Sequence, residues 1–177
     1  MYIMFYFMRW LLLICIVVAF ISHPDPTTVY QLHSVVVDKM TPEIVQAAAD
    51  WQTSVEKDSR YSVLVFIEAF IPGAFSSHAT ASVWPHSSET MHIIQLNIQQ
   101  ANATTKDAIT NAAMLRAGAK LVETAAGSSS VLPRYPNYSL QGTAASEFYG
   151  SNLAKLKRIK KKFDPSNIFN TKINILQ

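Results

Sequence analysis

The period of the apolar positions changes several times along this chain, and each change predicts an element. Val29 to Val37 is rich in β-branched residues, which predicts a strand. Thr41-Pro42-Glu43 then supplies an N-cap, a first-turn proline and a carboxylate at the positive helix end. Ile44, Ala48, Trp51 and Val55 follow at helical spacing, so a helix is predicted from Pro42 to Ser54. Tyr61 to Phe70 carries a continuous apolar run, Val63 to Ile67, the pattern of a strand buried on both faces or in the middle of a sheet. Pro72 to Ser88 is rich in Ser, Ala, Gly and Pro and reads as an irregular connection. Met91 to Gln99 alternates: Ile94, Leu96 and Ile98 share one face, and Gln95, Asn97 and Gln99 share the other. That polar side faces either a ligand or water.

Thr105 to Ala126 predicts the longest helix, with Ile109, Ala113, Leu121 and Val122 as its contacts, Gly118 weakening its middle and Gly127 ending it. Ser128 to Pro133 reads as a loop that delivers Tyr135 to Tyr138. A last helix opens at Ser151 or Asn152 and carries Leu153, Leu156, Ile159 and Phe163 as one buried stripe. Asp164-Pro165 stops it, because proline disfavours helical geometry in the residue before it. The order strand, helix, strand, strand, helix, helix has no internal repeat. It predicts an α+β fold in which helices pack on one face of an antiparallel sheet.

Ahead of these elements, Met1 to Ile21 is apolar apart from Arg9, about the roughly 20 residues that span a bilayer. His23-Pro24-Asp25-Pro26 is a stiff break between that segment and the first strand. Residues 1–22 thus read as an anchor, a signal or a non-native start. The first two imply a membrane or secretory location, with membrane contact through residues 1–21. Asn102-Ala103-Thr104 and Asn137-Tyr138-Ser139 are glycosylation sequons that matter only in an exported chain.

At 177 residues, 49% hydrophobic and 15% charged, the chain has room for one ordinary core and is no disordered polymer. Its one cysteine, Cys15, excludes an intrachain disulfide framework and a cysteine-based zinc knuckle. His78, His86 and His92 lack the spacing of helical or strand metal ligands. Ser76-Ser77-His78 lacks the glycine-flanked elbow of a serine hydrolase, and no Gly-rich phosphate cradle occurs. The net charge of +3 is local: Lys155, Lys157, Arg158, Lys160, Lys161 and Lys162 crowd the last helix. With no interleaved aromatic platform, this cluster reads as a solvated face and not as a nucleic-acid site. Joined to the apolar first segment, it also allows a second reading, a membrane-anchored noncatalytic module with a basic face.

The last third carries the most specific signal. Tyr135-Pro136-Asn137-Tyr138, then Tyr149-Gly150-Ser151-Asn152, Lys155-Leu156, Ile159-Lys160, Asp164-Pro165 and Asn167-Ile168-Phe169 occur in that order. This series resembles the C-terminal signature of berberine bridge enzyme-like FAD-linked oxidases. Upstream, Thr28 to Phe66 resembles the strand and helix that open the family's substrate domain. Phe66 to Asn97 resembles a later strand pair, with Ile67-Glu68-Ala69-Phe70, Trp84-Pro85-His86 and Ile93-Ile94-Gln95-Leu96 in family-like order.

The resemblance implies a partial substrate domain over residues 28–132, with only part of the antiparallel sheet, and a berberine-type C-terminal element over residues 133–177. It implies FAD as the cofactor in complete relatives, hydride transfer from a small-molecule substrate to FAD, and reoxidation by dioxygen. Tyr135, Asn137, Tyr138, Tyr149 and Asn152 match the family residues that approach the flavin. The alternative for the tyrosines and Pro136 is that they lock a loop between two helices. Nothing matches the family's R-S-G-G-H flavin-attachment segment. Where relatives carry a carboxylate base before the F-P-H-like triplet, this chain has Ser76, with Glu68 farther upstream. The chain alone is therefore expected to bind FAD no better than weakly and to be inactive by itself.

Overall fold

The computed structural model describes residues 28–74, 82–85, 90–169, 173 and 175–176. The expectations placed on residues 1–22, Ser76, Ser77, His78 and His86 lie outside the described residues. No described helix is long and apolar enough to cross a membrane.

The elements run β1 (Val29–Val37), α1 (Pro42–Val55), β2 (Ser62–Ala69), β3 (His92–Gln100), α2 (Thr105–Ala126), β4 (Val131–Leu132), α3 (Ala145–Tyr149) and α4 (Leu153–Phe163). A 3-10 turn, Gly150–Asn152, joins the last two helices. The strands form one four-stranded sheet in the order β2-β3-β1-β4, every pairing antiparallel. The fold is α+β, as the element order predicts.

The main core lies between one sheet face and the pair α1 and α2. Val35, Val37, Ile94, Leu96, Ile98 and Val63 meet Ile44, Ala48, Trp51 and Val55 of α1 and Leu115, Ala119 and Val122 of α2. The α1 stripe is the one its spacing predicts. Thr41 Oγ1 accepts the Ile44 N–H at 3.4 Å, and Thr104 and Asp107 close a reciprocal capping box at the start of α2. At the far end of α2, Gly127 adopts φ 77°, a left-handed value that favours glycine and stops the helix as expected.

Four expectations are corrected. First, β2 lies at the sheet edge, and its apolar residues Leu64, Val65 and Phe66 are only half-buried. A continuous apolar run is the pattern of a covered strand, but among the described residues no neighbour covers its outer side.

Second, α2 turns a different arc inward. Asn111, Leu115, Gly118, Ala119 and Val122 are buried, whereas Ile109 is 69% and Leu121 51% exposed. The decisive contact is Gly118 against Trp51: a Cβ built there would stand 2.5 Å from Trp51 Nε1. Gly118 is thus the residue that admits the indole, whose N–H donates to the Met114 carbonyl at 3.0 Å.

Third, the loop predicted at Ser128 to Pro133 contains β4. Asp38 N donates to the Ser130 carbonyl at 3.0 Å and leads into the β1–β4 pairing.

Fourth, α4 buries no residue, and Ile159 and Phe163 are 42% and 74% exposed, because nothing described packs over them. Asn152 makes no side-chain cap there. The stop is as expected: α4 ends at Phe163, and the Asp164 carboxylate accepts the N–H groups of Ile168 at 2.7 Å and Phe169 at 3.0 Å.

Candidate functional site

On the sheet face turned away from α1 and α2, strand pairing aligns side chains in rows, because partners across an antiparallel ladder share a face. Val36, Ile93 and Glu68 form one row, Ser34, Gln95 and Phe66 the next, and Leu32, Asn97 and Leu64 the third. The β3 amides seen in the sequence therefore lie among both neighbouring strands. Gln95 is buried and donates through Nε2 to Asn97 Oδ1 at 2.6 Å, and Asn97 Nδ2 donates to the Leu64 carbonyl at 2.9 Å. This orders a flat amide surface flanked by aliphatic side chains.

The C-terminal element places its tyrosines on that face. Val36, Met91 and Ile93 form a second apolar cluster, against which Phe70, Trp84, Leu132, Tyr135 and Tyr138 pack. The rings of Trp84 and Tyr135 stand 5.2 Å apart, and those of Tyr135 and Tyr138 stand 5.1 Å apart edge to face. Such tilted pairs are the arrangement that aromatic quadrupoles favour. Tyr138 N donates to the Tyr135 carbonyl at 3.2 Å, which makes the segment a tight turn. Exposed Asn137 donates from Nδ2 to Tyr135 Oη at 2.8 Å. Burial first, then the nearby Glu68 carboxylate, push the Tyr138 phenol up to about 12.

Tyr149 and Asn152 belong to the turn between α3 and α4. Tyr149 packs edge to face on buried Phe148 at 6.1 Å, and burial raises its phenol above the usual value. Asn152 Nδ2 donates to the Val83 carbonyl at 3.0 Å, while the neighbouring Trp84 indole donates to the Arg134 carbonyl at 2.8 Å. The 82–85 segment thus contacts both the turn and the tyrosine loop.

Sequence reasoning passed over Arg134 and Ser34. Arg134 donates through Nη1 to the Ser34 carbonyl at 2.6 Å and through Nε to Glu147 at 2.8 Å, and it pairs with Glu123 through Nη2. Buried Ser34 donates its hydroxyl to the Tyr138 carbonyl at 2.8 Å. The only signal in the sequence was one arginine between apolar Val131-Leu132 and aromatic Tyr135, with acids on the helices before and after it.

FAD would need both a wall for its ring and a cradle for its pyrophosphate. The amide face and the tyrosine pair fit the first. Neither α1 nor α2 supplies the second: the start of α2 is closed by its own Thr104 and Asp107, and Glu43 stands in the first turn of α1. The described residues thus fit the ring side of FAD and, in α1 and α2, not its pyrophosphate. They also include no cluster of three or more His, Cys, Asp or Glu side chains that could hold a metal ion.

Residues 134–176 match the family described as berberine and berberine like. In fold, the chain is similar to a carbohydrate oxidase from Microdochium nivale solved in complex with a substrate analogue, with a TM-score of 0.57 and 21% identity. That match covers 81% of this chain and 32% of the oxidase. It is similar also to wild-type BBE-like 1 of Physcomitrella patens, with a TM-score of 0.54 and 22% identity over 85% of this chain and 31% of the other. A chitooligosaccharide oxidase gives a TM-score of 0.57 and 18% identity over 80% of this chain and 31% of that one. The chain thus spans about a third of the length of these solved structures, and at such identities the likeness is one of fold. No curated protein matches.

Proposed function

We propose, given the chain's resemblance to berberine bridge enzyme-like FAD-linked oxidases in its C-terminal element and in its fold, that it forms the substrate-side layer of such an oxidoreductase. The observation that carries this reading is the placement of Tyr135 and Tyr138, from the berberine-like element, beside the polar face of the antiparallel sheet. In such an oxidoreductase FAD would supply the redox chemistry, and this chain's residues would supply position and polarity.

This chain's own residues would then act on the substrate's side. Asn97, bonded to buried Gln95, presents an ordered amide, and Tyr135 and Tyr138 present phenol groups and aromatic area. Asn137 fixes the Tyr135 hydroxyl. Tyr149 and Asn152 are proposed to approach the cofactor from the second turn. A small organic molecule bearing hydroxyl groups suits such a surface. The named neighbours, a carbohydrate oxidase and a chitooligosaccharide oxidase, support that class. The pyrophosphate cradle comes from a flavin-binding part beyond the described residues.

The purified chain is expected to be colourless after desalting. When it is supplied with the flavin-binding domain of a berberine-like relative and a hydroxylated substrate, the flavin absorbance should bleach, and Tyr138→Phe should slow the bleaching by about 10- to 100-fold. Flavin bands that survive desalting, with substrate-dependent peroxide, would show that the chain is sufficient alone. No bleaching with any flavin domain would remove the substrate-side assignment.

A further inference from the structure

We infer that Ser34 and Arg134 are the positioning residues of this site, a two-point clamp that sets the Tyr135 to Tyr138 turn against the sheet; the inference rests on the substrate-side reading above. Both ends of the turn converge on one residue of β1. At its start, the Arg134 guanidinium donates to the Ser34 carbonyl at 2.6 Å, and at its end the Tyr138 carbonyl accepts the Ser34 hydroxyl at 2.8 Å. Ser34 lies opposite Gln95 in the ladder, so the clamp registers the turn to the amide row itself.

The guanidinium is held from two other sides. Glu123, near the end of α2, and Glu147, on α3, take its remaining arms, and its side chain is 16% exposed. The planar fork of arginine meets three acceptors in fixed directions, which a lysine cannot do. Part-exposed ion pairs such as these contribute little to stability. What the guanidinium supplies is direction: it orients a turn whose rings must stand in one place. With the clamp in place, Tyr138 stays edge-on to Tyr135. Without it, the turn is free to lift while the core between the sheet and α1 and α2, to which neither residue contributes, stays closed.

The test is nuclear magnetic resonance of the flavin-free chain with 13C-labelled tyrosine rings, assigned with Tyr135→Phe and Tyr138→Phe. Ring currents from the Trp84, Tyr135 and Tyr138 stack displace both tyrosine signals from those of an exposed ring. The Trp51 indole N–H, bonded to the Met114 carbonyl, reports the core. In Ser34→Ala and Arg134→Met, the tyrosine signals are expected to collapse toward exposed positions while the Trp51 signal holds. Unchanged tyrosine signals in Ser34→Ala, with the Trp51 signal intact, overturn the inference whether or not Arg134→Met folds. The assay contains no flavin or substrate, so its failure leaves the substrate-side reading standing, and failure of that reading leaves the clamp measurable.

Discussion

Position 118 shows how a single side chain can invert a propensity argument. In an exposed helix, replacing glycine with alanine gains up to about 1 kcal/mol, since glycine loses more backbone freedom on folding. Here the added methyl would meet Trp51 at 2.5 to 2.7 Å. That indole is 3% exposed and hydrogen-bonded, so it has little room to give. Overpacking of this kind costs about 1–3 kcal/mol. Gly118→Ala is therefore expected to lower stability in urea unfolding; a higher midpoint would mean that the indole repacks freely and that the close approach is incidental.

The C-terminal helix is held at its end by charge more than by burial. Lys160 pairs with Asp164 and also donates to the Phe169 carbonyl at 2.7 Å, while the Asp164 carboxylate gathers the Ile168 and Phe169 amides. The Lys160 contact and then the two backbone amides hold the Asp164 carboxyl below the usual carboxylate range, against the opposing effect of burial. A carboxyl depressed in the folded state contributes stability that is present above its unfolded value and lost as pH falls through the folded one. The Ile168 and Phe169 amides should accordingly lose hydrogen-exchange protection only as the pH falls below the ordinary carboxylate range, while core amides such as that of Ile94 keep theirs. Asp164→Asn should show the same loss at pH 6. Undiminished protection in Asp164→Asn at pH 6 would contradict this assignment.

At the scale of the whole molecule, the described residues cover the sheet on one side with α1 and α2 and on the other only in part, with the tyrosine loop. The free edge of β2 is a strand of eight residues containing Val63, Leu64, Val65, Phe66 and Ile67, with Ile67 39% exposed. Phe163, Ile168 and Phe169 stand 74%, 78% and 77% exposed on the C-terminal element. An uncapped apolar edge is a template for pairing with another chain. The 19.7 kDa chain should therefore elute larger than a monomer and with concentration dependence. Ile67→Lys, a charge at the edge, should shift it toward the monomer without changing its circular dichroism. A sharp monomer peak for the unaltered chain at all concentrations would mean that this edge is protected.

Features that depend on nearest neighbours along the chain were legible without any coordinates. The α1 stripe, the Thr41 and Gly127 boundaries, the Asp164 stop and the two faces of β3 all come from period and capping, which are local properties. The berberine-like element was legible for the same reason: its short motifs lie in order within one stretch. Which arc of α2 turns inward required the folded molecule, because it depended on a tryptophan in another helix. So did the edge position of β2, since strand order is set by pairing at long sequence separation. The candidate site divided along the same line. Tyr135, Asn137 and Tyr138 could be named from sequence, but Ser34 is 104 residues from the Tyr138 carbonyl it binds, and the link exists only once β1 and the C-terminal element share a sheet face.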